Sequence, residues 1–501
     1  MEPGRDRRLV TAAMLAAMSL AALEATAVAT AMPTAVSELG SVTRYSWVFS
    51  AYLLTSTTTV PLFGKLADLY GRKRIFTISV FVFLGGSALC GLSGTFTQLI
   101  LFRAIQGIGA GGVMPVAITI VGDIYTLEER GRVQGLFSAV WAVASLVGPA
   151  VGGLVTDLAS WRWVFYFNIP FGALAAVMVH AFLREEAARR EHRLDLIGTL
   201  LLTGAVCLLL IAAQEGSSTW GWTDARTLAA VVFGVIGIAL FIRQERRSAE
   251  PMLPLDLFRS RIIGVASMGA FALGTLLFTL TAYVPMFTQG VLGGTASEAG
   301  ATLMPMSLGW PITSTLAGWL LLRVGYRPLT ILGATIAVAG CAMLAMLGPG
   351  SGRTDVMLAM LILGAGMGFM STPYIVAVQS AVPWSRRGVA TSSQQFFRTI
   401  GGAIAVAAFG AVLNARLATV AGPDASARTV LDPVLRQSLD PGAVERLQSA
   451  LGAGLHSIYV ACAVVAAIGL IIALLFPGGS AASHAHRGDL DGGTAPVRAA
   501  G

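Results

Sequence analysis

The chain has 501 residues, of which 55% are hydrophobic and 12% are charged, and its mean hydropathy is +0.74. Soluble domains carry about 25% charged residues, so this composition excludes a soluble globular protein. The formal net charge of +8 does not indicate nucleic-acid binding, because the basic residues are dispersed among loops and form no single patch with aromatic residues. The composition instead predicts an all-α polytopic membrane protein.

Fourteen apolar runs of roughly membrane-crossing length follow one another along the chain. They lie near residues 10–31, 46–64, 75–94, 98–121, 132–158, 164–183, 195–214, 227–243, 262–288, 297–322, 327–347, 355–380, 388–414 and 455–476. Lys and Arg concentrate in alternate loops, so the positive-inside rule places both termini in the cytoplasm. The four cysteines fall inside these runs, far apart, without the spacing of a disulfide framework or a metal site.

Glu24 is the acid well inside the first run. An ionised carboxylate near the centre of a bilayer costs about 2.5–3.5 kcal/mol on the insertion scale. The side chain is therefore expected to face a water-filled cavity or a partner. A carboxyl group that is costly to ionise can also carry a proton near neutral pH. The alternative is a structural acid that is hydrogen-bonded to a neighbouring helix.

The second and third runs are separated by residues 64–74, with the sequence GKLADLYGRKR. One acid and four bases between two membrane-length runs predict a very short loop on the cytoplasmic surface. Gly64 and Gly71 allow a tight turn and a close approach of two helix ends. Asp68 is expected near the start of the next helix, where the macrodipole favours a carboxylate. The simpler alternative is a basic loop that only sets the topology.

Arg103 is a second charge inside an apolar run, three residues before Gln106. With a rise of 1.5 Å per residue, Glu24 lies roughly 10 Å and Arg103 roughly 8 Å below the outer ends of helices 1 and 4. The two charges are therefore predicted to pair directly, or through Gln106 and water. The alternative for Arg103 is a structural role, in which it binds backbone carbonyls of a neighbouring helix. The GIGAGG stretch that follows matches a dinucleotide-binding pattern, but it lies mid-helix and indicates close helix packing.

Two later stretches contribute further candidates. Helix 5 contains a proline that removes a helical hydrogen bond, so the stretch is predicted to interrupt and kink this helix. Its residues are Gly148, Pro149, Gly152 and Gly153. Near the midplane of helix 13, polar and charged side chains are candidates either to line a cavity or to lock two parts of the bundle together. These are Gln394, Gln395 and Arg398.

Motifs of the first half of the chain recur in the second half at an offset of about 254–257 residues. The recurring pairs are Gly64 and Gly71 with Gly318 and Gly325, EERG at 128–131 with SRRG at 385–388, and Gly107 and Gly109 with Gly364 and Gly366. Such an internal repeat predicts two six-helix halves, with helices 7 and 8 inserted between them. The repeat is incomplete, because the second half has Leu322 at the position equivalent to Asp68 and Met360 at the position equivalent to Arg103.

The predicted organisation therefore has four parts. Residues 1–183 form the first half, and 184–250 form a charged linker (184–194) followed by the inserted helices. Residues 251–476 form the second half, which includes an external segment at 415–454 with a short amphipathic helix around 442–452. The Gly/Ala/Ser-rich tail 477–501 is predicted to be disordered and cytoplasmic.

Several stretches carry a resemblance to a known family. The sequence at 64–74 resembles the loop between helices 2 and 3 of the major facilitator superfamily, where it is part of the cytoplasmic gate. The stretch 148–153 resembles the antiporter motif of its exporters. Residues 161–172, 195–198 and 397–402 resemble signatures of its fourteen-helix drug:proton antiporters. One departure is Glu24, because that family usually has Asp on helix 1.

The resemblance implies a major facilitator fold with fourteen transmembrane helices. It implies proton coupling through Glu24 and Arg103. The implied cytoplasmic gate contains Gly64, Asp68, Gly71, Arg72 and Lys73, with Asp68 latching it in the outward-open state. The proton-carrier role of Glu24 requires that this side chain lie beside the space between the two halves.

The expected function is proton-coupled antiport that exports amphipathic or cationic organic compounds by alternating access. The expected setting is the bacterial inner membrane, as a monomer, powered by the proton gradient, without a cofactor, a metal or a nucleic-acid partner. The alternatives are an exporter of a lipid or lipid-like metabolite, another major facilitator carrier, or a binding or sensing protein. A membrane-embedded enzyme is disfavoured, because His180 and His456 sit at helix ends and no nucleophile, base and orienting group stand together in the sequence.

Overall fold

The computed structural model describes residues 3–479 apart from 40–44, 184, 186–194, 217–219, 249, 295, 349 and 422–440. Within these residues the chain is helical and contains no β-strand. Most of the predicted linker 184–194, the middle of the predicted segment 415–454 and nearly all of the predicted tail 477–501 lie outside the described residues.

The helices follow the apolar runs closely, since each predicted run lies largely on a helix. Their bounds are α1 Pro3–Leu39, α2 Tyr45–Tyr70, α3 Arg72–Gly91, α4 Phe96–Ile124, α5 Leu127–Leu158, α6 Trp163–Tyr166, α7 Asn168–Phe182, α8 Leu196–Gly216, α9 Ala225–Glu245, α10 Arg261–Gly290, α11 Ala296–Val324, α12 Tyr326–Ala345, α13 Arg353–Ser380, α14 Arg387–Ala421 and α15 Pro441–Leu474. Short 3-10 helices at Leu255–Arg259 and Trp384–Arg386 precede α10 and α14. Nine segments of the described chain are long and apolar enough to cross a membrane. The all-helical architecture is confirmed, and the count of fourteen spans stays a prediction.

The turn between α2 and α3 is shorter than the sequence predicted. α2 continues to Tyr70, so Gly71 alone separates it from α3. Gly71 has φ 92°, a left-handed conformation that glycine adopts without a Cβ clash. Asp68 consequently lies in the last turn of α2, and the prediction that it stands near the start of the next helix was wrong. Gly325 makes the same turn between α11 and α12, with φ 85°.

Two other local predictions differ from the structure. α5 runs without interruption through the 148–153 stretch, so the predicted interruption was wrong, while the predicted kink stays a prediction. The short helix predicted around 442–452 is the first part of α15, which continues to Leu474. The sixth run forms two consecutive helices, α6 and α7, joined at Phe167, whose backbone is also helical, and together they make one segment of membrane-crossing length, Trp163–Phe182.

The internal repeat is visible in how the helices pack. A Cβ on Gly86 of α3 would come 2.5 Å from the backbone N of Gln106 on α4. A Cβ on Gly340 of α12 would likewise come 2.6 Å from Leu363 Cγ on α13. Residues 86 and 340, like 106 and 363, are counterparts in the sequence repeat. A position in one half can therefore be compared with its counterpart in the other half.

Two pairs of helices make the most extensive contacts between α1–α7 and α10–α15. α2 packs against α14, and α5 packs against α11. The inserted helices α8 and α9 pack on each other, and α8 also contacts α2 and α14. Leu54, Val206 and Phe396, from these three helices, belong to one buried apolar cluster. We call the end of the bundle that contains the last turn of α2 the Asp68 end.

Candidate functional site: a buried ion pair and a charged seam

Glu24 is completely enclosed, with 0% of its side chain exposed. Its two carboxylate oxygens accept hydrogen bonds from different helices. Arg103 Nη1 of α4 donates to Oε1, and Asn168 Nδ2 of α7 donates to Oε2. The structure thus brings Glu24 and Arg103 into direct contact, and it adds a neutral donor on the second oxygen.

Arg103 is also almost fully buried and is held on several sides. Its Nε donates to the backbone carbonyl of Val48 at 3.2 Å, and Nη1 donates to Gln106 Oε1 at 2.7 Å. Its guanidinium carbon lies 4.3 Å from the centre of the Tyr52 ring, a cation–π distance. The sequence predicted either an ion pair or a bond to a backbone carbonyl for Arg103. The side chain makes both contacts.

Ser87 of α3 connects the remaining polar side chains of this network. Its hydroxyl donates to the backbone carbonyl of Phe165 at 3.0 Å. It accepts from Gln106 Nε2 at 2.9 Å and from Asn168 Nδ2 at 3.0 Å. Because a buried charge is tolerated only when it is paired and hydrogen-bonded, these contacts explain how Glu24 and Arg103 can lie in a membrane helix bundle.

The network is enclosed within the first seven helices, α1–α7. Its side chains come from α1, α3, α4 and α7, and none of them is more than 2% exposed. The proton-carrier role was predicted to require that Glu24 border the space between the two halves. In this conformation Glu24 does not border that space. Gln106, which was predicted as a cavity residue, is likewise fully buried inside the network.

A second charged site joins α2 to α14 at the Asp68 end. Asp68 accepts from the backbone N–H groups of Gly388 at 2.9 Å and Val389 at 2.7 Å, in the first turn of α14. The macrodipole and the free N–H groups of a helix start stabilise a carboxylate in this position. Gly388 also lies directly against Gly64, since a Cβ on Gly388 would come 2.6 Å from the Gly64 carbonyl oxygen. We call this site the charged seam.

Arg72 ties three segments together beside Asp68. Its Nη2 donates to Asp68 Oδ1 at 2.9 Å and to the Trp384 carbonyl at 2.6 Å, and its guanidinium carbon lies 3.7 Å from the centre of the Trp384 ring. Its Nε forms an ion pair with Asp123 at 2.9 Å. Arg387, at the start of α14, lies 3.3 Å from the same carboxylate. Two acids and two arginines, all nearly buried, therefore bridge the two halves.

The α5–α11 contact is built differently, and we call it the glycine seam. A Cβ on Gly131 would come 2.3 Å from the Cα of Gly318, so the two backbones touch. Deeper in the bundle, Ser138 and Ser314 lie within hydrogen-bonding distance at 3.2 Å. Arg130, beside Gly131, reaches across to Ser380 Oγ at 3.4 Å. Both seams meet at the Asp68 end, and the halves are closed against each other there.

The other predicted site residues are distributed more widely. Gly71 and Lys73 shape the start of α3, where Glu185 accepts from the backbone N–H groups of Arg72 at 2.8 Å and Lys73 at 2.9 Å. Gln395 lies on the α14 face towards the first half, with Nε2 3.9 Å from the sulfur of Met114. Further polar atoms are buried without a hydrogen-bond partner in the described chain, and they include Gln394 Oε1 and Arg398 Nε. Gly148 and Gly152 are buried within α5, and Gly153 has open space around it.

Sequence reasoning did not assign Asn168 or Ser87 to the site. Asn168 was visible only as a polar residue inside an aromatic stretch, and Ser87 as one of several small residues in helix 3. Their spacing carries no signal of a contact with Glu24, because the three residues lie on three helices. Asp123 was expected to have a capping or gate role because it lies near a helix end, and Arg387 was recognisable as part of the repeated SRRG motif at 385–388, but neither residue's partner could be predicted.

Comparison with known proteins identifies the family to which this architecture belongs. A family model described as the Major Facilitator Superfamily matches residues 14–406. The chain belongs to the major facilitator superfamily. It is 37% identical over 410 residues to the multidrug transporter protein MdtP of Bacillus subtilis strain 168, a match that covers 82% of this chain and 76% of that protein. It is 36% identical over 406 residues to multidrug resistance protein 3 of the same organism, covering 81% and 79% of the two chains.

Solved structures of the superfamily share the fold at low sequence identity. The human organic anion transporter MFSD10 (TETRAN) matches with a TM-score of 0.63 and 13% identity, covering 93% of this chain and 99% of that one. The proton:xylose symporter XylE matches with a TM-score of 0.59 and 13% identity, covering 93% and 95%. This major facilitator protein is therefore a multi-pass membrane transporter and not an enzyme, and its relatives include proteins named for multidrug transport and multidrug resistance.

Proposed function

We propose that this protein exchanges protons for amphipathic or cationic organic compounds and exports those compounds across the bacterial inner membrane. Both termini then face the cytoplasm, and the Asp68 end is the cytoplasmic end. The substrate class rests on the relatives that are named for multidrug transport and resistance. The protein works as a monomer that needs no cofactor beyond the proton gradient.

The observation that carries the proton coupling is the buried Glu24–Arg103 pair. A charged pair inside a membrane bundle is costly, so it is retained where it has a function. The counterpart of Arg103 is Met360, which is fully buried in the second half. The same position in the same fold is thus filled by an apolar side chain, which supports a role for Arg103 other than packing.

The two seams give the transport cycle its gate. Their contacts hold the halves together at the Asp68 end, which supports a closed inner gate and a transporter that faces outward. Inward opening requires that α14 leave Asp68 and that α11 leave α5. Because Glu24 is enclosed in this conformation, the proton reaches it only when the surrounding helices of the first half rearrange during that cycle.

The test is export by purified protein in proteoliposomes with an imposed pH gradient and a panel of compounds. Glu24→Gln should abolish proton-driven export and leave substrate-for-substrate exchange, because only the first process moves protons. Glu38→Gln is the matched control on the same helix. Hydrogen bonds from Arg162 and Trp161 hold the pKa of Glu38 below its usual value, so Glu38 carries no proton near neutral pH.

Full pH-dependent export by Glu24→Gln would falsify the proton-carrier role. Competition by lipids in place of organic cations or dyes would instead favour the alternative of a lipid or lipid-like metabolite exporter. Absence of exchange with every compound, at normal protein levels, would point to a binding or sensing protein.

A further inference from the structure

Asn168 is the member of the Glu24 network that neither the sequence motifs nor the comparisons assign a role. It is 2% exposed and is the first residue of α7, directly after Phe167, which joins α6 to α7. One amide nitrogen donates both to Glu24 Oε2 and to Ser87 Oγ. The side chain therefore ties α7 to α1 and to α3 at one point.

The surrounding bonds fix which way the Asn168 amide points. The Ser87 hydroxyl donates to the Phe165 carbonyl, so its hydrogen is committed and its oxygen can only accept from Asn168. An ionised Glu24 is also acceptor-only. Both neighbours thus require the NH₂ group of the amide, and a rotated amide would place its oxygen against two acceptors.

Protonation of Glu24 changes this requirement. A neutral carboxyl group has an O–H that must find an acceptor, since an unmade hydrogen bond in a buried site is costly. Arg103 offers donors only, because a guanidinium has no acceptor. Asn168 carries both a donor and an acceptor on one rotatable amide, so it can serve the neutral as well as the ionised form of Glu24.

We infer that Asn168 is a positioning residue for proton coupling, whose amide donates to ionised Glu24 and turns to accept from protonated Glu24. This inference rests on the proposed function, since it gives the protonation of Glu24 a structural consequence. The turned amide gives up its bond to Ser87, so proton binding loosens the contact between α7 and α3. Asn168 itself exchanges no proton.

The other groups that face Glu24 in the described chain do not replace this role. Gln106 of α4 also carries an amide, but its oxygen accepts from Arg103 and its nitrogen donates to Ser87. Arg103 comes from α4, Tyr52 from α2 and Cys90 from α3, and these are the charged or titratable side chains around the carboxylate. α6 and α7 contribute Phe165 and Asn168, neither of which titrates. A pH profile that depends on Asn168 therefore reports its hydrogen bond to Glu24.

The first experiment compares the pH profile of proton-driven export for wild type, Asn168→Ala and Asn168→Asp in proteoliposomes. Asn168→Ala should keep substrate exchange and raise the midpoint of the profile by about one pH unit, because the bond lost by the ionised carboxylate is stronger than the bond lost by the neutral carboxyl group. Asn168→Asp keeps the shape of the side chain and can donate only when protonated. It should therefore approach wild-type export at acidic pH and lose it as the pH rises.

Ser87→Ala is the second variant, and it covers the case in which Asn168→Ala fails to fold. It removes the partner that holds the amide in its donating orientation, so the midpoint should move here too. Ser79→Ala is the matched control, because Ser79 is a buried serine of the same helix whose hydroxyl bonds to the Ile75 carbonyl of its own helix. A wild-type midpoint in both Asn168→Ala and Ser87→Ala overturns the inference.

An infrared measurement separates failure of this inference from failure of the proposed function. A carboxylic C=O band that appears on acidification and is lost in Glu24→Gln belongs to Glu24, and Asn168→Ala should shift its frequency. A band that Asn168→Ala leaves unchanged contradicts the role of Asn168 even if export is proton-driven. Export by Glu24→Gln with a wild-type pH profile contradicts the proposed function, whatever the band shows.

Discussion

The two halves of this transporter place different chemistry at equivalent positions of one fold. In the first half, Ser87, Arg103 and Gln106 form the polar network around Glu24. Their repeat counterparts are Cys341, Met360 and Leu363, and all three are completely buried. The helix packing around them is the same, since a glycine of the adjoining helix meets Gln106 in one half and Leu363 in the other. The fold therefore does not need polar side chains at these positions, where only the first half carries a charge.

The two seams repeat this contrast at the Asp68 end. Asp68 binds the start of α14 through two charge-assisted hydrogen bonds. Its counterpart, Leu322, cannot bind the start of α5, and the α5–α11 contact depends on the approach of Gly131 to Gly318. One seam is therefore held by charges that a proton or a water molecule can disturb, and the other by close backbone packing.

The largest expected effect tests whether the polar network is dispensable for folding. Arg103→Met copies the residue of the second half but leaves Glu24 buried without its ion partner, so it should lower the free energy of unfolding by about 3–5 kcal/mol. Adding Glu24→Gln removes the orphaned charge and should recover most of the loss. Thermal unfolding of the purified variants measures both changes, and a double variant no more stable than Arg103→Met would contradict the comparison.

The next prediction concerns the charged seam. Asp68→Asn removes the charged acceptor for Gly388 and Val389 and should favour the open seam by about 1.5–3 kcal/mol, which is roughly tenfold or more in population. Leu322→Asn is the matched control at the counterpart position and should leave the charged seam closed. The readout is modification of Ser392→Cys, a buried seam position, by a thiol reagent added at the cytoplasmic side of a variant lacking the native cysteines. Equal modification of Asp68→Asn and Leu322→Asn would show that the charge does not latch the seam.

A smaller effect is expected at the glycine seam. Gly131→Ala places a methyl group where the backbone of Gly318 lies, so the closed conformation should lose about 1–3 kcal/mol from overpacking. Gly153→Ala on the same helix is the control, because a Cβ there meets nothing within 4 Å. Thiol modification of Ser314→Cys, which is buried beside Ser138, reports the opening. If Gly131→Ala stays as closed as Gly153→Ala, the backbone contact is not what holds this seam.

Much of the architecture could be predicted because it is encoded locally. A membrane-length apolar run is a helix in any context, so the run at 355–380 matches α13 closely. The meeting of Glu24 and Arg103 could be anticipated by counting residues, because the helical rise converts sequence distance into depth. The predicted interruption of α5 failed, since whether a proline stops a membrane helix depends on neighbours that the local sequence does not reveal.

The partners of the charged residues could not be read in the same way. Asp68 binds backbone N–H groups more than 300 residues away, and Asn168 reaches Glu24 across 144 residues. Counting residues along a helix gives the depth of a side chain in the membrane but leaves the rotation of the helix undetermined. It therefore cannot predict which side chains contact one another. The proton-carrier role required Glu24 to lie beside the space between the halves, whereas the structure encloses it among the helices of the first half.

The sequence by itself determined that this protein is a helical membrane protein with an internal repeat, because hydrophobicity, length and charge distribution act locally on each segment. Only the tertiary structure decided that Glu24 is clamped between Arg103 and Asn168, and that one seam is charged while the other is glycine packing. Those outcomes depend on how helices rotate and approach one another. Helix rotation follows from the packing of the whole bundle, to which every segment contributes at once.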